Sequence, residues 1–200
     1  TLVINPNMNP ISSGKYTDAV VKQYRDQAAD SHCYITGLSS NNESRYAYGD
    51  ISDAYFGKKA VRGMKMSSDG KSVVIRDELK LNDTDSGYWF AHTKADIALS
   101  ADKKSAVLTI DGVKLWVGIL SEGLTFEIMD AIQLNSDVIP TDDTHSSNDS
   151  AYRGQKPNDE FKKLVISFSG STDISVAFVP LSGNQTRPDI IPSDSEIKNW

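Results

Sequence analysis

From Arg62 to Leu81 apolar and polar residues alternate with period two, break at Asp69-Gly70, and alternate again. That pattern predicts a β-hairpin. A two-residue Asp69-Gly70 loop of type I′ sets Met66 opposite Val73, Met64 opposite Ile75 and Arg62 opposite Asp77, all on one face. Two apolar pairs thus give way to one pair of opposite charge. "KSAVLTIDGVKLWVGIL" repeats the logic around Asp111-Gly112: Ile110 faces Val113, Leu108 faces Leu115, Ala106 faces Val117, and Val107 and Trp116 pair on the other side. Bulky apolar residues on both faces place this hairpin centrally, covered from both sides. In "KLVISFSGSTDISVAFV" a two-residue loop misaligns the apolar positions. A three-residue loop, Gly170 to Thr172, aligns Leu164, Ile166 and Phe168 with Phe178, Val176 and Ile174, which predicts a third hairpin.

The remaining segments are shorter. "TLVINP" reads as a strand stopped by Pro6, and "HCYITGL" and "RYAYGDI" as strands around a polar loop, Ser39 to Ser44. "DAVVKQYRDQAAD" fits a helix by propensity and a strand by alternation. "GYWFAHTKADIALS", Gly87 to Ser100, reads as one strand. Its odd positions, Trp89, Ala91, Thr93, Ala95, Ile97 and Leu99, make a mostly apolar face. Its even positions carry Tyr88, Phe90, His92, Lys94 and Asp96, so His92 lies off the core face. Residues 135–159 are rich in Ser, Asp, Asn and Pro and read as a long exposed loop or excursion. Residues 182–200 read as a tail that wraps the surface. The expectation is one domain over residues 1–200: an all-β antiparallel sandwich, supersandwich-like, with several hairpins and little helix.

Composition narrows the function classes. The net charge is −6 over 200 residues, and the 21 Lys and Arg are scattered. No basic stripe marks a nucleic-acid binder, and clustered cations for a densely sulfated polymer are missing. No apolar run approaches the roughly 20 residues of a membrane span. The chain opens on Thr1 with no basic cap or long apolar core, so it is expected to be an excised piece of something longer. The single Cys33 excludes an internal disulfide framework and a cysteine-rich metal site. Four N-x-S/T patterns, at Asn42, Asn82, Asn148 and Asn184, are of a kind that arises by chance in such loops.

Candidate chemistry is sparse. Arg62 and Asp77 interrupt apolar faces at facing positions and read as a semi-buried ion pair that fixes register. In "YGDISDAYFG", Asp50 and Asp53 stand three apart. That spacing suits acid–base work or a cation, and equally a turn in which Asp bonds its own backbone before Gly57. His92 is a lone histidine, either a ligand or a structural residue bonded to a neighbour, and His145 sits in the polar excursion with no evident partner. No Ser-His-Asp order, P-loop, G-x-G-x-x-G or H-E-x-x-H motif is present. The residues alone give an acidic all-β domain without a catalytic constellation.

Several segments follow one another in a familiar order: "TLVINP", "YGDISDAY", "AVRGMKM", "VVIRDELKL" and "WFAHTKADIALSADKKSAVLTIDGVKLWVGIL". The combination of R…V-x-x-D-E, W-F-x-H-T and L-T-x-x-G-x-x-L-W-V, from Thr1 to about Leu120, resembles the heparinase II/III-like polysaccharide lyases. The resemblance implies the β-sandwich domain that follows an α/α-toroid in that family, whose members cleave uronate-containing polysaccharides by β-elimination. The toroid carries most of the catalytic groups, so the resemblance implies no catalytic residue in this chain, a missing toroid as partner, and polysaccharide as a further one. Some relatives hold a structural zinc here through His, Asp and His. Asp50 matches the Asp position and His92 the second His, while the first His falls just before Thr1. No cofactor is therefore expected in this chain, with zinc confined to the full-length parent. The acidic charge favours a weakly sulfated or unsulfated substrate for that parent, or a domain that stays away from the polysaccharide. The resemblance also implies a bacterial protein, secreted or periplasmic. A self-standing carbohydrate-binding sandwich is the rival reading, and it needs exposed, coplanar aromatics.

Overall fold

The computed structural model describes residues 1–6, 31–41, 45–131 and 160–200. Twelve strands are present among them: β1 (Leu2–Ile4), β2 (Tyr34–Ser40), β3 (Arg45–Asp50), β4 (Lys59–Met66), β5 (Val73–Lys80), β6 (Ser86–Thr93), β7 (Asp96–Leu99), β8 (Ser105–Ile110), β9 (Val113–Ile119), β10 (Glu127–Asp130), β11 (Lys162–Ser169) and β12 (Thr172–Leu181). Two single 3-10 turns, Ser52–Tyr55 and Ile197–Asn199, are the helical elements described. The "DAVVKQYRDQAAD" segment, the 135–159 excursion, His145, Asn42 and Asn148 lie outside the described residues.

The strands form two antiparallel sheets. The smaller runs β1-β6-β11-β10 and the larger β2-β3-β4-β5-β12-β9-β8-β7. One apolar core fills the space between them, as in any sandwich whose strands alternate in and out. Leu2, Trp89, Leu164, Ile166 and Phe168 come from the small sheet, and Ala60, Leu79, Leu108, Val117, Ile174 and Val176 from the large one. At the β2–β4 end of the large sheet, Ile35, Leu38, Met64 and Met66 of its inner face are exposed. A second cluster on its outer face joins Val74, Trp116, Ala177 and Val179 to Leu181 at the end of β12 and to Ile191 of the C-terminal tail.

Two hairpins have the expected register. Met66 pairs with Val73, Met64 with Ile75 and Arg62 with Asp77. Ile110 pairs with Val113, Leu108 with Leu115, Ala106 with Val117 and Val107 with Trp116. The β8–β9 hairpin lies between β7 and β12, with its Trp116 side covered by the tail. Its turn has both central residues at positive φ, Asp111 at 50° and Gly112 at 76°, the type I′ signature. The first hairpin differs. Only Gly70 of its pair has positive φ, and Ser67 N–H bonds Ser72 O while Gly70 N–H bonds Ser67 O. The loop is therefore four residues, 68–71. It keeps the register because it is centred on the same Asp69-Gly70 bond.

The third hairpin does not form. β11 pairs with β6 and β10, and β12 pairs with β5 and β9. The link at Gly170-Ser171 is an arch that carries the chain from one sheet to the other. Leu164, Ile166 and Phe168 do meet Ile174, Val176 and Phe178, but across the core rather than along one face. A hairpin and an arch match the same apolar residues. The arch wins here because it gives each apolar strand two hydrogen-bonded neighbours instead of leaving an edge. Gly87–Ser100 is corrected likewise. Its strand breaks at Lys94-Ala95, with β6 in the small sheet and β7 in the large one.

Candidate functional site

Arg62 and Asp77 lie on the inner face of the large sheet. Arg62 donates from Nε to Asp77 Oδ1 at 2.6 Å and from Nη2 to Oδ2 at 2.9 Å. This two-pronged geometry fits the guanidinium fork to the carboxylate. Asp77 is 0% exposed. Burial pushes its carboxyl up, and the bonds and charge of Arg62 pull against that. The Trp89 indole faces the same carboxylate, though its buried Nε1 has no partner within hydrogen-bonding geometry. Tyr55 closes the cluster by donating its hydroxyl to Leu2 O at 3.2 Å. Asp77, Trp89 and Tyr55 are closed to solvent, while the Arg62 side chain keeps 27% exposure.

Asp50 and Asp53 build a turn. Asp50 Oδ1 accepts the Ser52 N–H at 2.9 Å, and its Oδ2 accepts from Lys59 at 3.3 Å. The Ser52 bonds hold the Asp50 carboxyl below its ordinary value, and Lys59 adds to that. Asp53 accepts the His32 N–H at 2.6 Å. The 3-10 turn ends through Phe56 and Gly57, at φ 56° and 81°.

His92 lies on the outer face of the small sheet, as parity predicts. That face is less polar than the sequence suggests, because Phe90, Val3 and Val165 are buried there with Tyr88 and Met129 beside them. The His92 ring meets Phe90 edge-on at 6.1 Å. Burial lowers its pKa first, and the nearby Lys163 lowers it further. Asp50 and His92 belong to different sheets and, by strand parity, face opposite outer sides of the sandwich. The described residues do not bring them to a shared ion, and no three His, Cys, Asp or Glu side chains gather among these residues. A tetrahedral site needs such a gathering, and the described residues do not supply one.

Sequence reasoning missed two polar junctions. Asp85, at one end of the sandwich, accepts from Asn5 at 2.7 Å, from Lys58 at 2.8 Å with both oxygens, and from the Asn82 N–H at 2.8 Å. Lys58 first, then Asn5 and Asn82, draw its pKa down to about 2. Buried Arg76, on the outer face of the large sheet, donates to Glu78 at 2.9 Å, Asp173 at 2.8 Å and Asp194 at 2.6 Å. Asp194 also accepts from Ser175, and the Ile197 N–H bonds Glu78. Arg76 thus fastens the tail to the sheet. "NDTDSG" signals the Asp85 turn. Nothing local signals Arg76, whose partner Asp194 lies 118 residues away.

No family model matches the chain, and no curated protein does. Solved structures do. The fold is that of one part of heparinase III. The heparan sulfate lyase HepC from Pedobacter heparinus aligns over 86% of this chain and 28% of its own, at 11% identity and a TM-score of 0.57. The heparinase III BT4657 gene product aligns over 89% of this chain and 28% of its own, at 11% identity and 0.54. The same product with methylated lysines aligns over 75% and 21%, at 16% identity and 0.50. This chain therefore spans about a quarter of the heparinase III chains it matches. At such identities the likeness is one of fold, and function has to be argued from sites.

Proposed function

We propose that the chain is a non-catalytic β-domain of a heparinase II/III-like polysaccharide lyase, one that packs against an α/α-toroid and lines the cleft. The observation that carries this reading is the lopsided overlap: most of this chain aligns with about a quarter of each heparinase III structure. The parent would remove the proton at uronate C5 and expel the C4 oxygen, with base and acid supplied by the toroid.

A second feature suits a packed partner. On the inner face of β2–β4, Ile35, Leu38, Met64 and Met66 are 70%, 69%, 50% and 40% exposed. With Ala47 and Val73 the last three line a shallow pocket of about 300 Å³. Contiguous exposed apolar side chains mark interaction surfaces. The face of His92 is less suited to docking, because Phe90 and Val165 are already buried within the chain. The rival, a self-standing sugar-binding module built on Trp89 and Trp116, is not favoured, since these are 2% and 5% exposed.

The test has two arms. The gene sequence upstream of Thr1 should encode a toroid-like helical repeat. Ultraviolet absorbance of the unsaturated product should show turnover of uronate polymers by the longer protein and none by the 200-residue chain. Leu38→Glu and Met64→Glu should cut that turnover while leaving the melting temperature of the isolated chain unchanged. Turnover by the isolated chain would overturn the reading.

A further inference from the structure

On the outer face of β2–β4, opposite the exposed apolar side chains, aromatic rings rest on glycines. Tyr34, Tyr46 and Tyr48 share this face with Gly63 and Lys65. The Tyr48 ring occupies the space a Cβ at Gly37 would take. Trp200, brought in by the tail, does the same at Gly63, where a Cβ would come 2.6 Å from its ring. Tyr46 and Tyr48 lie within 19° of parallel with centroids 5.9 Å apart, and Trp200 meets Tyr46 edge-on, 65° from parallel, at 6.2 Å. Tyr46, Tyr48 and Trp200 are half-buried, and Tyr34 beside them is exposed. Lys65 stands 5.7 Å from the Trp200 ring. It also begins a groove of about 690 Å³ whose lining includes Val74, Val179, Lys71, Gln185 and Asp189.

We propose that this platform and groove bind an unsulfated polysaccharide carrying sparse carboxylates. Flat apolar ring faces suit the C–H face of a pyranose, and Tyr hydroxyls at their edges suit its hydroxyls. The groove falls in the size range of ligand sites and supplies serine, amide and lysine groups along its length. Lys65 and Lys71 offer two cations for carboxylates. Asp69 and Asp189 in the same lining, with the net charge of −6, oppose a dense polyanion. The site goes beyond the wall role and does not depend on it, because it belongs to this chain's own surface.

The test is affinity electrophoresis of the 200-residue chain in gels holding glucuronoxylan, a neutral glucan or heparin. Glucuronoxylan, unsulfated and with only occasional carboxylates, should retard the chain most. Trp200→Leu and Lys65→Ser should each weaken that retardation roughly tenfold, while Lys103→Ser at the distant β7–β8 turn should not. Trp89 and Trp116 are buried, so glucuronoxylan should shield Trp200 from acrylamide quenching in the unaltered chain, a readout free of any folding defect. Absence of retardation in every gel, stronger retardation by heparin or the glucan, or undiminished retardation in both variants would each overturn the proposal. Lyase turnover is a separate quantity, so either proposal can fail without the other.

Discussion

Removing the guanidinium of Arg62 should be among the most damaging single changes in the core. Arg62→Met keeps much of the side-chain volume and leaves Asp77 as a carboxylate at 0% exposure, its two bonds of 2.6 and 2.9 Å gone. Breaking one side of a buried pair costs about 3–5 kcal/mol, because the remaining charge is uncompensated. For a domain of this length that is a fall of roughly 6–20 °C in melting temperature. The double change Arg62→Met with Asp77→Leu should recover most of the loss, since an apolar replacement of a buried pair is often neutral. The pH dependence supplies a second check. Burial already pushes Asp77 up in the native chain, and losing Arg62 pushes it further. A carboxyl raised on folding favours the folded state below its unfolded pKa, and that advantage is lost as pH rises through the folded pKa. The deficit of Arg62→Met should therefore shrink from pH 7 toward pH 5. Calorimetry or urea melts across that range measure it. A loss under about 1 kcal/mol, the scale of exposed pairs, or a deficit that grows toward acid, would refute the reasoning.

Three further outcomes are expected. Asp85 sits at about 2 against an ordinary 3.8, so it stabilises the fold above pH 4 and that contribution disappears as pH falls through about 2; Asp85→Asn should flatten the acid limb of the melting curve. Gly63→Val should expel Trp200 from its seat, at an overpacking cost of about 1–3 kcal/mol, seen as red-shifted tryptophan emission. His92 should titrate below 6.5 by proton NMR, because burial and Lys163 disfavour its charge, and Lys163→Ser should raise the midpoint.

The sequence made pairing legible where turn chemistry and alternation agreed. At Asp111-Gly112 both signals point to one geometry, and the structure has it. At Asp69-Gly70 the register survives although the turn type does not, because hydrophobic alternation outweighs loop detail. At Gly170-Ser171 alternation is ambiguous: apolar positions matched along a hairpin face are also matched across a sandwich. Choosing between them needs the partners of both strands, β6 and β10 for one, β5 and β9 for the other, and those are set by residues far along the chain. Parity placed His92 on an outer face, yet it could not tell that Phe90 and Val165 form a small apolar cluster there.

The candidate site was hidden for a related reason. On the outer face of the large sheet, three described glycines leave room that an aromatic ring takes: Tyr48 over Gly37, Trp200 over Gly63 and Trp116 over Gly118. A glycine inside a strand weakens it unless something covers the exposed backbone. "TGL", "RGM" and "VGI" therefore read locally as flaws or bulges. Only Trp116, two residues from Gly118, is close enough in sequence to suggest the pairing. The other two rings arrive from the neighbouring strand and from the end of the tail, 137 positions beyond Gly63 by residue number. What brings Trp200 there is the Arg76–Asp194 bond and the Glu78 carboxylate on the Ile197 N–H. The buried arginine that had no role in the sequence reading thus positions the tail's ring on the sheet. It follows that Arg76→Leu should release the tail to proteolysis and abolish the shielding of Trp200 together, while the inner core keeps its packing.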